Sequence, residues 1–270
     1  MRVYAKINLA INNLGKKGSM HELDMIVGEV SLYDEVTISV NESSQIEING
    51  MDIPLEKNLM YKAAKKFLEY NGINKGVTIN IEKHIPEEAG LGGGSADAAC
   101  VLKLMNEIFK TSNSVEELTS IAIPLGSDVP FFLYGGICRV KGFGEVVTKI
   151  SDQRINNVTI IKPRYGLSTK DVFEESDLFG AEVKTDALDT IEREIRNGII
   201  PWEKLFNDLE FPADNISKSK GISISEYKSI LLENGAKVSL MSGSGSSIFC
   251  VGEIEGEKLK NKYAVDIWQL

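Results

Sequence analysis

Apolar and polar residues alternate along Val3 to Leu14, which predicts a strand that opens the fold. Lys6 and Asn8 stand two apart and share one face of it, while Val3, Ala5, Ile7 and Leu9 share the other. Gly15 to His21 reads as a turn, and Val36 to Val40 and Ile46 to Ile48 read as strands around a polar turn. Asn58 caps a helix with Leu59, Ala63, Phe67 and Tyr70 on one stripe, ended by Gly72. Val77 to Ile81 is a strand. After a run of glycines, Ala98, Leu102, Met105 and Phe109 fall at helical spacing. Val115 to Ile123 is a further helix, stopped by Pro124, and Ile137 to Lys141 and Glu145 to Ile150 form a hairpin around Gly142-Phe143-Gly144.

The pattern restarts after Asp152, where a domain boundary is expected, giving domains over 1–152 and 153–270. Val158 to Lys162 is a strand, and Ser168 caps a short helix with Val172 and Phe173. Thr185 to Asn197 and Ser225 to Asn234 are helices, each closed by a glycine. Lys237 to Met241 and Ser247 to Val251 are strands, Glu257 to Lys262 is a helix, and Ala264 to Trp268 is the last strand. Strand, helices, two strands, helix, strand is the order of a split βαβ unit with inserted helices.

Between the strand at Val77 and the helix after it lies Pro86-Glu87-Glu88-Ala89-Gly90-Leu91-Gly92-Gly93-Gly94-Ser95-Ala96. Glycines leave no β-carbons between a ligand and the backbone and reach angles other residues avoid. With Ser95 as the expected N-cap, the run is either a tight turn before a capped helix or a phosphate loop, and the density of glycines favours the second. It is not a P-loop, because no lysine follows the glycines, and it does not complete a dinucleotide fingerprint. Met241-Ser242-Gly243-Ser244-Gly245-Ser246-Ser247 is a second loop of small residues, either a hairpin turn or a surface of N–H groups and hydroxyls for a phosphate. Lys6 is either a solvated edge charge or a functional lysine facing inward. Asp128, in Leu125-Gly126-Ser127-Asp128-Val129-Pro130, is either a helix cap or a site carboxylate.

Composition narrows the classes. With 43% hydrophobic and 26% charged residues, the 270-residue chain is an ordinary globular protein. A formal net charge of -9 leaves no basic footprint for nucleic acid. No apolar run has membrane-spanning length and the N-terminus has no signal-peptide core, so a cytoplasmic protein is expected. Cys100, Cys138 and Cys250 are far apart and odd in number, as reduced buried residues are, and a structural zinc site is not expected.

Ala5-Lys6-Ile7-Asn8-Leu9, the Pro86 to Ala96 run, Leu125 to Phe132 and Met241 to Ser247 occur in the order of the GHMP kinases, which the chain resembles over almost its whole length. The longer glycine run is most similar to the branch that phosphorylates 4-diphosphocytidyl-2-C-methyl-D-erythritol (CDP-methylerythritol) in the non-mevalonate isoprenoid route. The resemblance implies an α+β fold of two domains, S5-like then ferredoxin-like, with the active site in the cleft between them. It implies ATP and Mg²⁺, a small-molecule alcohol as acceptor, and a monomer or homodimer. Lys6 and Asp128 would be the catalytic pair. Gly90, Leu91, Gly92, Gly93, Gly94 and Ser95 would hold the ATP phosphates, with Asn58 and Lys83 on the adenine side and Ser95 as a direct or indirect Mg²⁺ contact. Asn8, Met20, His21, Phe173, Ser244 and Gly245 would meet the substrate. The branch carries a tyrosine before His21 to lie against the cytosine; here that residue is Met20, which leaves a different alcohol as the alternative acceptor.

Overall fold

The computed structural model describes residues 1–270. The chain opens on two long antiparallel strands, β1 (Arg2–Lys17) and β2 (Met20–Asn41), joined at Gly18-Ser19. Gly18 takes φ +69°, which a two-residue hairpin needs. The turn expected over Gly15 to His21 is therefore only its middle, and Lys16 and Met20 lie in paired strands.

β3 (Ile46–Asn49) does not pair with the end of β2. It runs parallel to β4 (Gly76–Glu82), which inserts between the two, and α1 (Leu59–Tyr70) makes the crossover. α2 (Gly93–Phe109), α3 (Val115–Ala122) and the six-residue α4 (Val129–Tyr134) follow, then the hairpin β5 (Ile137–Gly142) and β6 (Val146–Ser151). β2 is the spine of this first sheet. It pairs β1 along most of its length, β4 from Glu35 to Asn41, and β5 from Leu23 to Gly28.

The second half holds β7 (Thr159–Lys162), α5 (Thr169–Ser176), α6 (Thr185–Arg196), β8 (Phe206–Asn207), α7 (Glu210–Ser217), α8 (Ile224–Glu233), β9 (Ala236–Met241), β10 (Ile248–Gly252), α9 (Gly256–Tyr263) and β11 (Asp266–Gln269). Its sheet is antiparallel in the order β11-β7-β10-β9, the split βαβ arrangement expected from the sequence. β8 and α7 are additions to that expectation. β8 leaves its own half and pairs in parallel with β1, Ala10 beside Phe206, so the first sheet borrows a strand from the second half.

The fold is α+β with two sheets and a core on each side of their junction. Ala5, Ile7 and Leu9 pack with Ile160, Leu240 and Phe249 in a cluster between the sheets. Val3 instead joins the cluster under α2, because a register shift between Tyr4 and Lys6 breaks the alternation there. No helix is long and apolar enough to cross a membrane.

Candidate active site

β1 brings Lys6 and Asn8 to the junction of the two halves, and both are buried. The Lys6 Nζ donates to Asn8 Oδ1 at 2.5 Å and stands 3.7 Å from Asp128 Oδ2. Lys6 is therefore an inward lysine. Asp128 occupies the N-cap position of α4, but its side chain caps no N–H group. Its carboxylate is about a third exposed and faces a cavity of about 580 Å³. A buried ammonium beside a half-open carboxylate is an arrangement that can hold a hydroxyl, accept its proton and keep a cation next to the charge that develops.

Gly90 and Gly92 sit at φ +71° and +72°, where a side chain is strained. A Cβ on Gly90 would lie 2.2 Å from the Ser242 carbonyl oxygen, and one on Gly92 would lie 2.7 Å from a Phe132 ring carbon. The turn between them is fixed to β1 by the Lys6 N–H, which donates to Leu91 O at 3.0 Å. Ser95 is not the N-cap of α2. The helix starts at Gly93 with Gly92 as its cap, and a left-handed glycine has no side chain to bond the first N–H groups. Those donors stay open toward the loop, which strengthens the case for an anion at this helix start.

The second loop is locked to the first. Ser242 Oγ donates to Gly90 O at 3.0 Å and accepts from the Asn8 N–H at 3.3 Å, and the Ser247 N–H donates to Ala89 O. The Asn207 amide, at the end of β8, donates to Met241 O and Gly243 O at 2.9 and 2.8 Å. Ser244 lines the larger cavity and its hydroxyl meets Thr169 Oγ1 at 2.9 Å. Gly245 does not line it. Its α-carbon is turned to the core, and a Cβ there would meet Met241 and Leu167.

A second cavity of about 330 Å³ shares Gly90, Gly92 and Ser95 with the first and is lined by the rest of the glycine loop, Asn58 and Lys83. Neither of those two side chains is free. Asn58 Oδ1 accepts from the Met60 and Tyr61 N–H groups as the cap of α1. Lys83 Nζ donates to Asp34 Oδ2 at 2.5 Å and to Asp97 Oδ2 at 2.8 Å. Burial works against the Lys83 charge, yet the two carboxylates outweigh it and raise its pKa. Asp97 is pushed up to about 7, first by burial and then by the charge of Asp34, with Lys83 opposing. Its Oδ1 has no hydrogen-bond partner. The sequence reading missed Asp34 and Asp97; the only signal was an aspartate at the fifth position of a helix that opens on small residues.

At the far end of the larger cavity the His21 and Phe173 rings stack at 4.8 Å between centroids and 27° between planes. Met20 lines the mouth and is nearly half exposed. The His21 Nε2 meets Asp177 Oδ1 at 2.6 Å, a partner the sequence reading did not anticipate. The structure thus gathers Lys6, Asn8, Met20, His21, Ser95, Asp128, Phe173 and Ser244 on one cavity, and Asn58 and Lys83 on its neighbour.

Comparison with known proteins agrees with this geometry. A family model described as GHMP kinases N terminal domain matches residues 58–136, which contain the glycine loop and Asp128. The chain is 36% identical over 252 residues to the 4-diphosphocytidyl-2-C-methyl-D-erythritol kinase of Clostridium acetobutylicum, covering 92% of this chain and 89% of that protein. It is 39% identical over 254 residues to the enzyme of the same name from Clostridium botulinum strain Hall, with the same coverage. A crystal structure of 4-(cytidine 5'-diphospho)-2C-methyl-D-erythritol kinase superposes with a TM-score of 0.77 at 30% identity over 99% of this chain and 97% of that one. The Methanococcus jannaschii mevalonate kinase, at 17% identity and a TM-score of 0.70 over 99% of this chain and 96% of that one, shares the fold. On identity over nearly the whole chain, on architecture and on the motifs that meet in the cleft, the chain belongs to the GHMP kinase family.

Proposed function

We propose that this chain transfers the γ-phosphoryl group of ATP to the 2-hydroxyl of 4-diphosphocytidyl-2-C-methyl-D-erythritol. The observation that carries the reading is the Lys6–Asp128 pair, 3.7 Å apart on the wall of the larger cavity, which shares Gly90, Gly92 and Ser95 with the smaller one. Relatives bearing that substrate in their names, 36–39% identical over most of the chain, support it.

Phosphoryl transfer needs positioning and charge stabilisation more than covalent help. Asp128 accepts the proton of the acceptor hydroxyl. Lys6, held by Asn8, keeps Asp128 oriented and offsets the negative charge that builds on the transferring oxygens. The open amides at the start of α2 and the Cβ-free wall of Gly90 to Gly94 take the ATP phosphates. Asn58 and Lys83 then shape the adenine side from their fixed positions, and Asn8, Met20, His21, Phe173 and Ser244 face the acceptor. Ser95 and Asp128 line one cavity with a hydroxyl and a carboxylate, the hard oxygen donors that suit Mg²⁺. Mg²⁺, when bound, neutralises part of the triphosphate charge. Residues 1–152 and 153–270 are read as the two domains, in a cytoplasmic enzyme that is a monomer or homodimer.

Met20 at the mouth, in place of an aromatic residue, favours one second reading: the same chemistry on a different alcohol. An assay of ATP consumption with CDP-methylerythritol beside a panel of other alcohols separates them. Rapid turnover with the cytidine compound is expected, with a loss of about a hundredfold or more in Asp128→Asn and nucleotide binding retained. Near wild-type turnover in a folded Asp128→Asn would remove the base, and no reaction with the cytidine compound would shift the assignment to the other alcohol.

A further inference from the structure

Asp128 owes its place to the backbone of α4. Its carboxylate caps no N–H group, and Lys6 Nζ stands 3.7 Å away, beyond hydrogen-bond distance. α4 has only six residues, and the last four carbonyls of any helix have no partner within it. A helix this short is held chiefly by what meets those carbonyls. Here Phe131 O accepts from the Gly135 N–H at 2.9 Å, Phe132 O from Lys103 Nζ at 2.8 Å, and Tyr134 O from Lys149 Nζ at 2.7 Å. Just past the helix, the Gly136 N–H donates to Glu29 Oε2 at 2.9 Å. Lys103, Lys149 and Glu29 line a third cavity, of about 270 Å³, which shares no residue with the two already described.

The two lysines differ in where they start. Lys149 comes from β6 and also meets Asp152 Oδ1 at 2.8 Å. Lys103 comes from α2, the helix whose first amides are left open at the glycine loop. One 2.8 Å bond thus couples the helix that carries Asp128 to the helix that carries those amides. Phe132, whose carbonyl takes the bond, also sets its ring against Gly92, where a Cβ would lie 2.7 Å from it. A cation at this end of a helix meets the partial negative charge of its carbonyls as well. We propose that Lys103 is a positioning residue for phosphoryl transfer: by holding the C-terminal end of α4 to α2, it sets the base Asp128 against the phosphates, while touching neither ligand. The inference rests on the reading of Asp128 as the base, and not on the identity of the acceptor. A misplacement on the order of 1 Å between reacting groups can cost about a hundredfold in rate. Loss of the Lys103 ammonium leaves the Phe132 carbonyl without its donor and α4 without its tie to α2.

The test is steady-state kinetics of the full chain with ATP and the acceptor that the alcohol panel identifies, with thermal melting to confirm folding. Lys103→Met keeps the apolar stem and removes the donor. It is expected to lower kcat about tenfold and to leave KM for both substrates within about twofold, the split expected when geometry is lost and binding is not. Lys103→Arg returns a donor to the same carbonyl and should recover part of the loss. Lys103→Gln, polar but shorter, repeats the measurement if Lys103→Met fails to fold. Combined with Asp128→Asn, Lys103→Met should lower the residual rate no further, because both act through one group. An unchanged kcat in a folded Lys103→Met, a loss carried by KM instead, or a further loss of the same size on top of Asp128→Asn overturns the inference. Near wild-type turnover in Asp128→Asn alone overturns the base assignment and the inference with it. A large loss in Asp128→Asn with none in Lys103→Met overturns the inference and leaves the base assignment standing.

Discussion

The smaller cavity has one wall of main chain, the glycine-loop positions Gly90, Leu91, Gly92, Gly93 and Gly94, facing side chains such as Asn58, Leu59 and Lys83. The larger one, across Gly90 and Gly92, is walled by side chains from β1, β2, α5 and the loop before α4. A main-chain wall is specified by what is missing, since any Cβ on Gly90 or Gly92 collides with a fixed neighbour. A side-chain wall is specified by partners that are distant in sequence, as His21 is by Asp177 and Lys6 by Asp128. The first kind of site has to fail when an atom is added, and the second when one is removed.

Gly92→Val tests that contrast most severely. The residue sits at φ +72°, and the added Cβ would also stand 3.1 Å from Lys6 Cγ. ATP affinity by calorimetry should fall about tenfold or more, and turnover with it, because one branched side chain strains the loop and displaces the lysine. Unchanged affinity in a folded variant would deny the loop its phosphate role.

Phe173→Ala subtracts from the other wall. Its ring carries the stack on His21 at 4.8 Å. Loss of the stacking partner should raise KM for the cytidine substrate by roughly three- to tenfold and leave KM for ATP in place, as expected when a contact to one ligand is lost. Equal changes in both constants would take Phe173 out of the acceptor pocket.

The smallest effect belongs to Asp97, under the main-chain wall. Its carboxyl titrates near 7 in the folded protein, against 3.8 as its unperturbed value. Between those pH values the folded chain holds a proton that the unfolded chain has released, so this group's contribution to stability falls as pH rises through the window. Asp97→Asn removes that term, and the amide can still accept from Lys83. The difference in melting temperature between Asp97→Asn and the unmodified protein should therefore grow in favour of the variant from about pH 4 to about pH 7. A difference constant with pH would mean that Asp97 ionises at an ordinary pKa.

The same contrast governs how far the sequence could be read. The glycine loop, the strand before it and the helix after it were legible because their signals are local. The start of α2 was misplaced by the usual rule for serine caps; a glycine cap serves an open site better because it leaves the amides unoccupied. Most of β2 was illegible because Asp24, Glu29 and Asp34 interrupt its apolar pattern. In the fold Asp24 takes a bidentate bond from Arg139, Glu29 accepts from the Gly136 N–H, and Asp34 accepts from Lys83 and from the His84 and Ile85 N–H groups. Each reads as a solvent-facing charge until a partner roughly fifty or more residues away is known. Asp177 escaped notice for the same reason.

Ser242 binds Asn8, 234 positions before it, and Gly90, 152 positions before it. Contacts of that span form only after nearly the whole chain has been drawn together, and closing such long loops is entropically unfavourable until the intervening structure is in place. The seam between the two loops is thus expected to form late in folding. A chain still emerging can present the glycine loop and Lys6 before the β9–β10 loop that binds them exists, so a truncation that removes β9 and β10 is expected to leave the site without its second loop.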